Sequence, residues 1–162
     1  MQIQVGQVSG EYFEVLGVKP ERGRYLTASD DKDGGPFVVV LSHALWQRQF
    51  GGDQNILGKT IPLNGNSYSV VGVMPPGFKS PRENSEAWTP VHISNPVAAN
   101  FRGVHFLRTY GRLAPGVTLQ QASAEMRMID EQLARQYPAD NKNRTTALIP
   151  LQERIVGQSK SA

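Results

Sequence analysis

The chain has 162 residues, 39% apolar and 19% charged, with 17 Lys and Arg against 14 Asp and Glu for a formal charge of +3. That balance excludes a highly charged disordered segment, and basic residues scattered from Lys19 to Lys160 lack the clustering that a phosphate-tracking surface needs, so no nucleic-acid partner is expected. With no cysteine, disulfides and thiolate metal sites are excluded; no run approaches the roughly 20 apolar residues of a membrane span, and the opening MQIQVGQVSG lacks the features of a signal peptide.

Alternation of Ile3 and Val5 with Gln2, Gln4 and Gly6 predicts a half-buried strand from Gln2 to Val8. Ser9 is placed to cap a short helix over Glu11 to Leu16 with its side chain, and Gly17 ends it. Lys19 to Pro36 reads as loop, with DDKDGGP a turn by composition. Phe37 to Leu41 is a continuous apolar run of strand length, predicted to be buried on both faces. Ser42 caps the next helix, His43 to Phe50, which Gly51 and Gly52 stop; Trp46 and Phe50, four apart, should pack together.

Thr60 to Leu63 and Tyr68 to Met74 flank Asn64 and Gly65, a pair suited to the positive φ of a tight hairpin. Pro75, Pro76 and Gly77 end the second strand, and a short extended piece follows at Ala87 to Val91. His105 to Leu113 is predicted to be a strand. Thr118 and Gln121 form a capping box before a helix from Leu119 to about Tyr137, where Leu119, Ala122, Met126, Ile129, Leu133 and Tyr137 make one apolar stripe. Pro138 stops that helix, and Thr145 to Leu151 closes the pattern as a strand. A strand, a helix and a strand in sequence predict a βαβ unit there, so the expected fold is α+β in two lobes.

The chemical candidates each have a plainer reading. Ser42 next to His43 suggests a hydrolase, but neighbours on a helix point apart, and a cap serine beside a first-turn histidine explains both. Asp30, Asp31 and Asp33 suggest calcium, yet counting from Asp31 puts Pro36 where an EF-hand needs its glycine, which leaves solvated turn acids. His43, His92 and His105 lack the spacing of a zinc helix. Glu125, Asp130 and Glu131 read as a solvated helix face, with Glu131 four before Arg135 as an ion pair. Trp88 reads as a packing residue, and no glycine pattern wraps a nucleotide. No catalytic, cofactor-binding or metal residue is assigned, and no cofactor is expected.

Several ordered strings resemble the periplasmic core domain of MacB-type ABC transporter permeases, in the MacB/FtsX-like family. They are VSGEYFEVLGVKPERGR, VVVLSHALWQRQFGGD, ILGKTIPLNG, YSVVGVMPPGF, EAWTPV, YGRLAPGVTLQQASAEM and IPLQERIVG, which together cover nearly the whole chain. The resemblance implies a noncatalytic domain outside the inner membrane, held between two membrane helices and coupling ATP-driven motion of those helices to export. Implied partners are the rest of the permease, its cytoplasmic ATPase and a periplasmic adaptor.

It also implies the nature of the two lobes. Residues 1–91 would be a β-rich inserted lobe, 92–104 a connector, 105–157 a porter-like strand-helix-strand half and 158–162 a tail. Since the family places a further porter strand and helix ahead of the matching region, the chain is expected to be an excised, incomplete fragment. An incomplete sheet implies dimerisation or strand exchange through Gln2 to Val8 or Thr145 to Leu151. Two other functional classes stay open on the residues alone, a free-standing binding module and a small serine hydrolase.

Overall fold

The computed structural model describes residues 3–81, 84–92 and 107–154, and the chain divides into two units, residues 1–99 and 100–162. In the first unit the elements are β1 (Val5–Val8), α1 (Tyr12–Leu16), β2 (Arg22–Gly23), β3 (Val38–Leu41), α2 (His43–Phe50), β4 (Thr60–Leu63), β5 (Asn66–Val73) and β6 (Ala87–Pro90). They build one mixed sheet in the order β1-β6-β3-β5-β2, with β4 also paired to β5. β1 and β6 are parallel, as are β3 and β5, while β3 and β6 run antiparallel. The second unit contains α3 (Leu119–Gln136) and α4 (Pro138–Asn141).

β3 lies mid-sheet, and all four of its residues are buried, as the apolar run predicts, but Phe37, expected to open that buried strand, lies outside it and is 49% exposed. Its alternation divides the interior in two. Val39 and Leu41 join Leu45, Trp46 and Ile56 on one face, whereas Val38 and Val40 join Phe13, Leu26 and Trp88 on the other. Trp46 and Phe50 share the first of these clusters, although the ring that Trp46 meets edge-on is that of His43, 5.5 Å away. Trp88 is 1% exposed and meets the rings of Phe13 at 5.6 Å and Phe78 at 5.3 Å, which makes it the packing residue expected.

Local signals hold where a side chain or a turn enforces them. The Ser42 hydroxyl accepts the Leu45 N–H at 3.1 Å, and Gly51 closes α2 at φ 60°. Asn64 and Gly65 take φ values of 49° and 84° at the β4–β5 hairpin. Ser9 differs. Its backbone carbonyl accepts the Tyr12 N–H at 3.1 Å, so α1 has no side-chain cap, and the donor that a Ser9 hydroxyl would have met is already taken.

β2 falls in a segment expected to be loop. It is admitted by an irregularity in β5, where the register with β3 shifts between Val39 and Val40 and leaves the Val71 carbonyl to accept the Arg24 N–H at 2.9 Å. A Cβ on the adjacent Gly72 would fall 2.1 Å from the Arg24 carbonyl oxygen, so only glycine lets the two backbones meet.

In the second unit the capping box forms: Thr118 Oγ1 accepts the Gln121 N–H at 3.2 Å, and Gln121 Oε1 accepts the Thr118 N–H at 2.8 Å. α3 ends before Pro138, which opens α4 instead of merely stopping the chain. Among the described residues neither flanking strand forms: residues 107–113 and 145–150 are in no ladder, and 151–154 are helical. The rest of the His105 to Leu113 expectation, including His105, lies outside the described residues. The expected βαβ unit is corrected, because a segment becomes a strand only within a ladder, and residues 107–113 and 145–150 are not in one. Parallel strands joined through a helix occur instead in the first unit, where α2 lies in the connection from β3 to the parallel β5.

Candidate functional site

One group of polar side chains in the first unit surrounds the loop that follows β2. Asp30 is 3% exposed, and its carboxylate accepts Arg24 Nη1 at 2.6 Å, Arg24 Nη2 at 2.9 Å, and the Thr27 N–H and hydroxyl at 2.8 Å each. Burial pushes the Asp30 pKa up, but the donors of Arg24 and Thr27 outweigh it and hold the carboxyl below its usual range. Arg24 is raised in turn, chiefly by its bond to Asp30. A bidentate pair of this kind fixes a loop more than it offers a ligand site.

The expectation of solvated turn acids is therefore corrected for two of the three. Asp30 is buried and paired, and half-buried Asp31 accepts the His92 N–H on Oδ1 at 2.7 Å, leaving Asp33 exposed. The missed signal was Thr27 three residues before Asp30, the spacing of a side-chain-capped turn.

Ser42 and His43 are adjacent but do not act together. The serine oxygen is engaged at the start of α2, while His43 Nδ1 lies 2.7 Å from Glu21 Oε2. Nearby, the Arg22 guanidinium stacks 5.1 Å from the centre of the Trp46 ring and donates to Gln54 Oε1, and Trp46 Nε1 donates to the Asp53 carbonyl at 3.0 Å. These contacts tie α2 and the turn after it to β2. No sequence spacing signalled the Glu21–His43 contact, since 22 residues separate the two.

On α3, Glu131 and Arg135 pair at 3.3 Å, as their spacing predicts. Asp130 instead accepts the Thr146 N–H at 2.5 Å and its hydroxyl at 2.8 Å, which ties residues 145–150 back to the helix. Among the described residues no three His, Asp or Glu side chains are arranged to hold a metal ion, and no helix is long and apolar enough to cross a membrane.

What the second unit presents is apolar surface. None of residues 107–154 is buried; on the predicted stripe Leu119 and Ile129 are exposed while Ala122, Met126, Leu133 and Tyr137 are half-buried, and Met128 beside it is 72% exposed. Such a face suits packing against another apolar surface.

Residues 1–129 match the model of a family described as the MacB-like periplasmic core domain. Over 67 residues the chain is 39% identical to the macrolide export ATP-binding/permease protein MacB of Aggregatibacter actinomycetemcomitans, a stretch equal to 41% of this chain and 10% of that protein. Among solved structures, the fold is similar to the periplasmic region of MacB from Actinobacillus actinomycetemcomitans, with a TM-score of 0.56, 21% identity, and coverage of 97% of this chain and 64% of that one. It is also similar to the extracellular domain of the noncanonic ABC-type transporter YknZ from Gram-positive bacteria, with a TM-score of 0.58, 16% identity, and coverage of 91% and 71%. The chain thus spans about a tenth of the relative it matches in sequence and under two thirds of the MacB region it matches in fold.

Proposed function

The chain belongs to the MacB-like periplasmic core domain family, and from that premise we propose that it is a noncatalytic extracytoplasmic part of an ABC transporter permease, on the outer side of the inner membrane. It passes motion of membrane helices, driven by a cytoplasmic ATPase, to export work outside the membrane. The observation that carries this reading is the family match over residues 1–129. The geometry is compatible with it: the sheet of the first unit has a core on each face, as a stiff body needs, and its most buried charged pair serves the fold.

We assign residues 1–91 to the inserted lobe, 92–104 to the connector and 105–157 to the porter-like half, with the open apolar face of α3 as a packing surface for the remainder of the permease or an adaptor. β1 ends the sheet and can take a further strand, so self-association through β1 is part of the proposal. Light scattering of this chain at high concentration tests that part, and monomer alone would remove it.

A single-cysteine labelling experiment, in a background with any other cysteine of the full-length protein replaced, tests the coupling. With Leu133→Cys in the full-length protein, a membrane-impermeant maleimide should label intact cells, and the labelling rate should differ between ATP-free and vanadate-trapped transporter. Labelling only after lysis would refute the location. An identical rate in both states would refute the coupling.

A further inference from the structure

His92 is held in a conformation that it would not choose alone. Its φ is +48°, in the left-handed region that a side chain with a Cβ disfavours, and it stands two residues after the end of β6. Three bonds fix the chain at this point. The Val91 N–H donates to the Val8 carbonyl at 3.1 Å, the His92 N–H to Asp31 Oδ1 at 2.7 Å, and His92 Nδ1 to the Lys32 carbonyl at 3.0 Å.

The loop that receives His92 is itself braced. Asp30, next to Asp31, is clamped by Arg24 and Thr27, and the Lys32 carbonyl also accepts the Gly35 N–H at 2.8 Å. A Cβ on Gly35 would lie 2.5 Å from the Asp30 carbonyl oxygen, so the turn is drawn as tight as a glycine allows. The strain at His92 is thus opposed by a rigid partner 61 residues away in sequence.

We propose that Asp31 and the Lys32 carbonyl form a latch on His92 that fixes where and in which direction the chain leaves the sheet of the first unit. Two of the three clustered acidic residues serve this end: Asp30 stiffens the loop and Asp31 holds the latch. The inference stands on contacts within the first unit and does not depend on the transport reading.

Amide hydrogen exchange read by NMR on the whole chain tests it. With Asp31→Ala, exchange at His92 should speed up at least tenfold, with Asp30 and Val40 unchanged. Asp31→Asn, which keeps an acceptor oxygen at the same place, should restore most of the protection, and Asp33→Ala should change nothing. Undiminished protection of His92 in Asp31→Ala would overturn the proposal. So would equal loss at the Asp30 amide, because the loop and not the latch would then have failed.

Discussion

The two units make opposite use of the same kind of local instruction. α2 and α3 both begin at a hydroxyl cap that closes onto a backbone N–H, Ser42 onto Leu45 and Thr118 onto Gln121. Yet α2 buries Leu45 and Trp46 against the sheet, whereas α3, with 18 residues, buries none. Capping and propensity are enough to set where a helix starts and stops, but an isolated helix of this length is marginal in water, and most helical stability comes from burying one face. The first unit shows what that face contributes when it is fully covered, and the second what a capped helix keeps when its apolar face is at most half-buried.

Core truncation in the first unit should separate the two most widely. Trp88→Ala removes the ring that joins Phe13 and Phe78, and is expected to cost about 3–5 kcal/mol in chemical denaturation followed by circular dichroism. A loss below about 1 kcal/mol would mean that the second cluster is not a packed core. Next is Asp30→Ala, which strips Arg24 and Thr27 of their shared acceptor and should cost about 1.5–3 kcal/mol.

The same carboxylate gives the first unit a pH dependence. Its pKa is lowered on folding, so the unfolded chain binds that proton more readily. The stabilisation is in place above the ordinary carboxylate value of about 4 and is lost as pH falls through the lower folded value. Acid denaturation of the native chain and of Asp30→Asn should therefore converge at low pH; curves that stay parallel would rule out this linkage.

Effects in the second unit should be smaller. Thr118→Ala deletes one capping bond and should cost α3 about 1 kcal/mol, seen as lost helicity with the sheet signal intact. Ile129→Ala, on the open stripe, should stay within about 0.5 kcal/mol. A cost as large as that of Trp88→Ala would show that the stripe is already covered and would break the comparison.

The legible parts of the fold are those whose cause lies within a few residues. The burial of β3, the caps at Ser42 and Thr118, the Asn64–Gly65 hairpin and the extent of α3 follow from apolar runs, hydroxyls and glycines at fixed spacing. The candidate site was legible only in outline. The acids near residue 30 stood out as a cluster, but their partners could not be read, because Asp31 meets His92 and Glu21 meets His43 across long separations.

By itself, then, the sequence determined an α+β chain, its principal helices and hairpin, the absence of thiol chemistry and the resemblance to one family, since each of these is written in composition or short-range order. Tertiary structure decided the rest: that Gly72 admits β2 onto β5, that Asp30 is buried with Arg24, and that residues 107–113 and 145–150 are not strands. A strand exists only when another backbone takes up its N–H and C=O groups, and a carboxylate stays buried and charged only when donors converge on it. Both conditions are set by residues far along the chain.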